Sequence, residues 1–167
     1  MNVEVISAAA EREPILANLF ELYAHDFSEF IDLKLGPDGR FGYERLHSYW
    51  EEPDRHPFII TVDGHLAGFA LVRKGSEISE DADVWDMAEF FVVRGVRRLG
   101  VGMRAAREIW RKFPGRWEVR VMERNHKASA FWRRAIQEFL GEAVEPLLFA
   151  KEGQSWRVFS FESERAA

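Results

Sequence analysis

The sequence contains no cysteine in its 167 residues. Disulfide scaffolds, thiolate nucleophiles and cysteine-built zinc sites are therefore excluded. No run of about 18 apolar residues occurs, so nothing reads as a membrane-spanning helix. The opening MNVEVISAAAEREP lacks the basic start and apolar run of an export signal, and a cytoplasmic protein is the expectation. Positive charge is not in surplus. The formal net charge is −5, which argues against a general nucleic-acid binder. Internal repeats and low-complexity linkers are missing, and the length suits a single domain over residues 1–167. The five histidines show no H-E-x-x-H pair or other metal spacing, so no metal is expected.

Aromatic residues are abundant, with six Trp and fourteen Phe in a chain that is 47% hydrophobic. That is enough for a sizeable core, with rings left over for a pocket wall. NVEVI alternates and predicts a strand. EREPILANLFELYAHDFSEF places Ile15, Leu16, Leu19, Phe20 and Tyr23 at helical spacing, with Pro14 in the first turn. YERLHSYWEEP predicts a second helix ended by Pro53. PFIITVDGHLAGFALVRKG reads as a hairpin turning at Asp63-Gly64. The acidic stretch SEISEDAD leads into the strand VWDMAEFFVV. A helix is expected from about Gly100 to Phe113, then the strand RWEVRVM, then a helix opened by Asn125. A closing hairpin, LLFAKE and SWRVFSFE, is joined by Gly153-Gln154. This order predicts an α/β (α+β) fold, a mixed sheet with helices on both faces.

The segment VRRLGVGMRAAREIW joins a strand to a helix through two arginines and two glycines. A helix N-terminus exposes unpaired N–H groups and partial positive charge, and glycine lets an anion approach the backbone. A pyrophosphate suits such a place; the bland alternative is an ordinary turn. Gly100, Gly102 and Ala105 also satisfy the dinucleotide pattern G-x-G-x-x-G/A, with Glu123 about 20 residues downstream. Against a nicotinamide reading, the loop Arg94–Leu99 separates strand from glycine, and the flanking hairpins do not build a doubly wound sheet. The Walker A sequence G-K-[ST] is absent.

Arg97-x-x-Gly100-x-Gly102 resembles the [QR]-x-x-G-x-[GA] motif of the GNAT (GCN5-related) N-acetyltransferases, and Asn125-x-x-Ala128-x-x-Phe131-Trp132 resembles that family's N-x-x-A-x-x-F-Y. The element order is similar over nearly the whole chain. EFFV ahead of RRLGVG is also similar to bacterial predicted acetyltransferases. The resemblance implies a mostly antiparallel sheet of about seven strands with about four helices and a splayed parallel pair at its centre. It implies acetyl-CoA as cofactor and transfer of an acetyl group to a primary amine, small-molecule or peptide, with no role for nucleic acid or membrane. Relatives often pair, which leaves a homodimer open. The alternative from a different class is a CoA- or acyl-CoA-binding module without catalysis.

Residue by residue, the resemblance assigns the pantetheine arm to the main chain of Phe91, Val92 and Val93. It assigns the pyrophosphate to Arg97, Arg98, Leu99, Gly100, Val101, Gly102 and Met103. Asn125, Ala128, Phe131 and Trp132 would line the cofactor, with Asn125 also an expected helix cap. Trp132 stands where many members carry a tyrosine as general acid, and an indole N–H is no useful acid at neutral pH. Tyr23, Tyr43 and Tyr49 lie in the acceptor-side region, and the sequence does not choose among them. Acyl transfer to an ammonium needs a base. Glu89 and Asp86, on the strand that borders the thioester, are the candidates, with Glu89 first. Ideal alternation sends them to opposite faces unless a bulge intervenes. The Val92 amide is the expected donor to the thioester carbonyl.

Overall fold

The computed structural model describes residues 1–164. Seven strands form one sheet in the order β1-β2-β3-β4-β5-β7-β6. They are β1 (Val3–Ser7), β2 (Arg55–Val62), β3 (His65–Lys74), β4 (Trp85–Val92), β5 (Gly115–Met122), β6 (Leu147–Lys151) and β7 (Gln154–Ser163). Four helices accompany them: α1 (Glu13–Phe27), α2 (Ser48–Glu51), α3 (Val101–Lys112) and α4 (His126–Leu140). The sheet is mostly antiparallel, and its parallel pair is β4 with β5. The register of that pair, Trp85↔Trp117 and Asp86↔Glu118, lies at the start of β4.

The chain divides into two compact units. Residues Met1–Leu71 and Glu89–Val101 make the first; Val72–Ala88 and the chain from Gly102 onward make the second. In the first unit, Leu16 and Leu19 of α1 pack with Ile59, Phe69, Leu71 and Phe91. Two apolar positions three apart share one face of a helix, which is why α1 seals this core. In the second unit Trp110 and Trp117 are wholly buried. Trp110 meets Phe139 and Phe161, each with ring centroids 5.1 Å away. Its neighbours on the inner face of α3, Val101, Ala105, Ala106 and Ile109, are also buried. Each large apolar side chain buried in this way contributes roughly 1.5–3 kcal/mol.

Local chemistry sets the element ends. Asp63 (φ 49°) and Gly64 (φ 80°) make the expected hairpin turn. The last hairpin turns one residue earlier than expected, at Glu152 (φ 51°) and Gly153 (φ 76°), so Gln154 already belongs to β7. The helix expected over residues 43–53 contracts to the four residues of α2. Its approach is built from tight bonds that skip three residues, Leu46 N–H to Tyr43 and Tyr49 N–H to Leu46, and these do not propagate an α-helix. α4 is capped as its sequence suggests: the Asn125 side chain accepts the Ala128 N–H at 3.1 Å, and Gly141 closes the far end with φ 80°.

β4 is irregular where it matters. The Gly75 amide bonds the Val84 carbonyl, and the Val93 amide bonds the Ala67 carbonyl. Between these bonds β4 has one residue more than β3, so it carries a bulge. Gly68 faces that irregularity. A Cβ there would lie 2.0 Å from the Phe91 carbonyl oxygen and 3.1 Å from the Val92 Cα. Only glycine admits so close an approach of β3.

Candidate active site

Arg94–Val96 make one 3-10 turn, and Arg97 is extended. Arg98 (φ 66°) and Gly100 (φ 81°) then take left-handed conformations before α3 begins at Val101. A non-glycine residue held at positive φ stores strain, a common mark of functional loops. Exposed amides at a helix N-terminus beside such left-handed residues suit an anion. α3 has no acidic side chain in its first turn to compete with such an anion. Arg98, Leu99 and Gly100 are exposed.

Arg97 turns back into the first unit. Its Nε donates to the Val92 carbonyl at 2.7 Å, its Nη2 donates to Asp26 at 2.6 Å, and its guanidinium sits 5.5 Å from the Phe91 ring centroid. Arg94 donates to the other Asp26 oxygen at 2.6 Å. Asp26, on α1, thus clamps both ends of the turn that follows β4. Partial burial works against its charge, but the hydrogen bonds and charges of Arg97 and Arg94 outweigh this and hold its carboxyl below the usual range. A depressed carboxyl contributes stability that is present above its unfolded pKa and is lost as pH falls through the folded one. The clamp is therefore intact at neutral pH and lets go only in strong acid. Asp26→Asn is expected to weaken CoA binding several-fold, about 1 kcal/mol for a solvent-accessible pair. Titration calorimetry at neutral pH checks this, and unaltered affinity would show that the clamp does not shape the loop. Nothing in the AHDF stretch marks Asp26 as a site residue, and sequence reasoning missed it.

The two acids of β4 have separate surroundings. Asp86, 2% exposed, accepts from Arg73 Nε at 2.9 Å and lies 3.6 Å from Arg120 Nη1. Burial raises its pKa, against the pull of Arg120 and Arg73. Arg73 also donates to Glu77 at 2.9 Å, so part of the acidic stretch before β4 is taken up by an ion pair. Asp81, further along it, pairs with Arg116 at 2.8 Å. Removing one member of such a buried pair strands the other charge, so Asp86 has a structural job.

Glu89 is half-buried and accepts from the Tyr23 hydroxyl at 2.6 Å. Tyr23 stands among Phe20, Phe27, Phe69 and Phe91, at centroid distances of 5.4, 5.6, 5.7 and 6.0 Å. Tyr43 stacks flat on Phe20 at 4.3 Å, and Tyr49 is buried in the core. The fold thus brings Tyr23 to a candidate base. The Val93 amide donates to the Ala67 carbonyl of β3.

In the second unit, Ala128 and Phe131 are half-buried on α4, beyond the Asn125 cap. Trp132 is almost fully buried, 6.1 Å from the Trp110 ring and 4.8 Å from the Phe131 ring. Its indole is a packing element of that core.

Solved structures share this architecture. An acetyltransferase from Thermus thermophilus superposes with a TM-score of 0.66 at 18% identity, over 97% of both chains. YncA from Salmonella typhimurium, solved with its cofactor acetyl-CoA, gives 0.62 at 12% identity, over 99% of this chain and 96% of its own. Spermidine N-acetyltransferase from Vibrio cholerae, in complex with CoA and spermine, gives 0.62 at 12% identity, over 96% and 95%. At such identities the likeness is one of fold. No curated protein sequence matches significantly. The profile described as the acetyltransferase (GNAT) family matches residues 16–136, from α1 through the loop around Gly100 to α4. With most of its length inside that match, the chain belongs to the acetyltransferase (GNAT) family.

Proposed function

We propose that the chain works as a single N-acetyltransferase domain, moving the acetyl group of acetyl-CoA directly to a primary amine. The observation that carries this reading is the Glu89 carboxylate on β4, half-buried and held by a phenol within an aromatic setting. Acetyl-CoA supplies a thioester, an acyl carbon already open to attack by an amine. The amides from Arg98 to Met103 suit its diphosphate, because two left-handed residues lead into α3 and its first turn holds no acidic side chain. The main chain of Phe91, Val92 and Val93 suits the pantetheine arm. An ammonium has no lone pair. Glu89 takes its proton, directly or through a water, the freed lone pair forms the new C–N bond, and the thioester C–S bond breaks to release CoA as a thiolate that solvent protonates. The Val92 amide is our assignment as donor to the carbonyl oxygen as charge gathers there.

Support for the amine comes from a neighbour whose structure holds CoA and spermine. The acceptor here is a small-molecule or peptide amine. Among the described residues no helix is long and apolar enough to cross a membrane.

Calorimetric titration of CoA and NADH into the purified protein tests the cofactor, and release of free thiol from acetyl-CoA across a panel of amines tests the chemistry. Saturable heat with CoA alone, followed by amine-dependent thiol, is expected. No heat from CoA would overturn the proposal. The core position of Trp132 favours one rival, a binding module without catalysis, for which CoA binds and no amine releases thiol.

A further inference from the structure

We infer that Tyr23 is a positioning residue for the reaction, setting both the direction and the proton affinity of the Glu89 carboxylate. The inference rests on the reading of Glu89 as base. The two residues lie 66 positions apart, one on α1 and one on β4, and meet in a 2.6 Å hydrogen bond. The phenol O–H donates to Oε2. Glutamate has three side-chain torsions, and a free carboxylate would sample several directions. A bond to one oxygen restrains the group's direction.

The donor is itself immobilised. Edge-on contact with Phe69 and flanking contacts with Phe20, Phe27 and Phe91 hold the ring, so its hydroxyl cannot swing away without disturbing four neighbours. A donor to the charged form of a carboxylate lowers its proton affinity. Tyr23 therefore favours the charged form of Glu89, the form that can accept a proton.

Four arginines near this strand have partners of their own. Arg120 reaches the Ala88 carbonyl at 3.5 Å and lies beside Asp86, which Arg73 also holds. Arg94 and Arg97 are taken by Asp26. Replacing the phenol by a phenyl ring thus removes one donor to Glu89 and leaves these pairs in place.

The test is the pH profile of kcat/KM for a reactive amine, measured on the whole protein. Tyr23→Phe keeps the ring and its packing. It is expected to move the acidic limb to higher pH by about one unit, since a hydrogen bond to a charged group is worth that much or more. The amine KM should change less than kcat. Tyr43→Phe, which removes a neighbouring phenol stacked on Phe20, serves for comparison. An unshifted limb in Tyr23→Phe, or the same shift in Tyr43→Phe, overturns the inference. A lowered thermal midpoint in Tyr23→Phe with no pH shift would mean a structural hydroxyl only, and also overturns it. Glu89→Gln separates the two levels. Full turnover in that variant removes the base itself, whereas an inactive Glu89→Gln beside an unshifted Tyr23→Phe removes only the role of Tyr23.

Discussion

Glu89→Gln is expected to lower kcat/KM for the amine by about 100- to 10,000-fold, the usual range for loss of a general base. CoA affinity should be unaltered. Glutamine has almost the shape of glutamate and still accepts a hydrogen bond from the Tyr23 hydroxyl, so the aromatic packing survives. What disappears is the ability to take a proton. The deficit should narrow at high pH, where more of the amine is already neutral and needs no base. A uniform loss at every pH would instead point to damaged binding. Asp86 separates from Glu89 by a different measure. It sits in a buried pair with Arg73, and Asp86→Asn speaks through its melting temperature.

Gly68→Ala is expected to be the most disruptive single methyl in the first unit. The added carbon would stand 2.0 Å from the Phe91 carbonyl oxygen, a backbone atom that no side-chain rotation can move. Either β3 retreats or β4 flattens. Severe overpacking of this kind costs about 3 kcal/mol or more, read as a lowered urea midpoint. CoA affinity should fall with it, because Phe91 and Val92 are the main-chain groups assigned to the pantetheine arm. Wild-type stability in Gly68→Ala would mean that the strands relax apart freely and that the bulge is not fixed by this glycine.

Much of this architecture was legible in local patterns. Asp63-Gly64 announces its turn because both positions must take positive φ. Leu16 and Leu19 announce the buried face of α1, and Asn125 announces the start of α4. The motif around Gly100 located the loop and gave the family. Contacts that join distant segments were not legible. Asp26 meets Arg97 across 71 positions, and Tyr23 meets Glu89 across 66. No periodicity encodes such meetings; they arise from how α1 lies on its core. The separate fates of Asp86 and Glu89 were hidden for a related reason. An arginine in an otherwise apolar strand, Arg73, was the available hint that one of the acids already had a partner. The contraction of α2 shows a local limit: its residues suit a helix, and the turn at Tyr43 wins.

Glu21 stands two positions before Tyr23 on α1. Its side chain receives the Phe41 amide at 2.9 Å, the Gly42 amide at 3.1 Å and the Arg40 Nε at 3.0 Å. The connection ahead of α2 is thereby sewn to the rod that carries the phenol. A substitution that tilts that rod would shift the connection and the phenol as one piece.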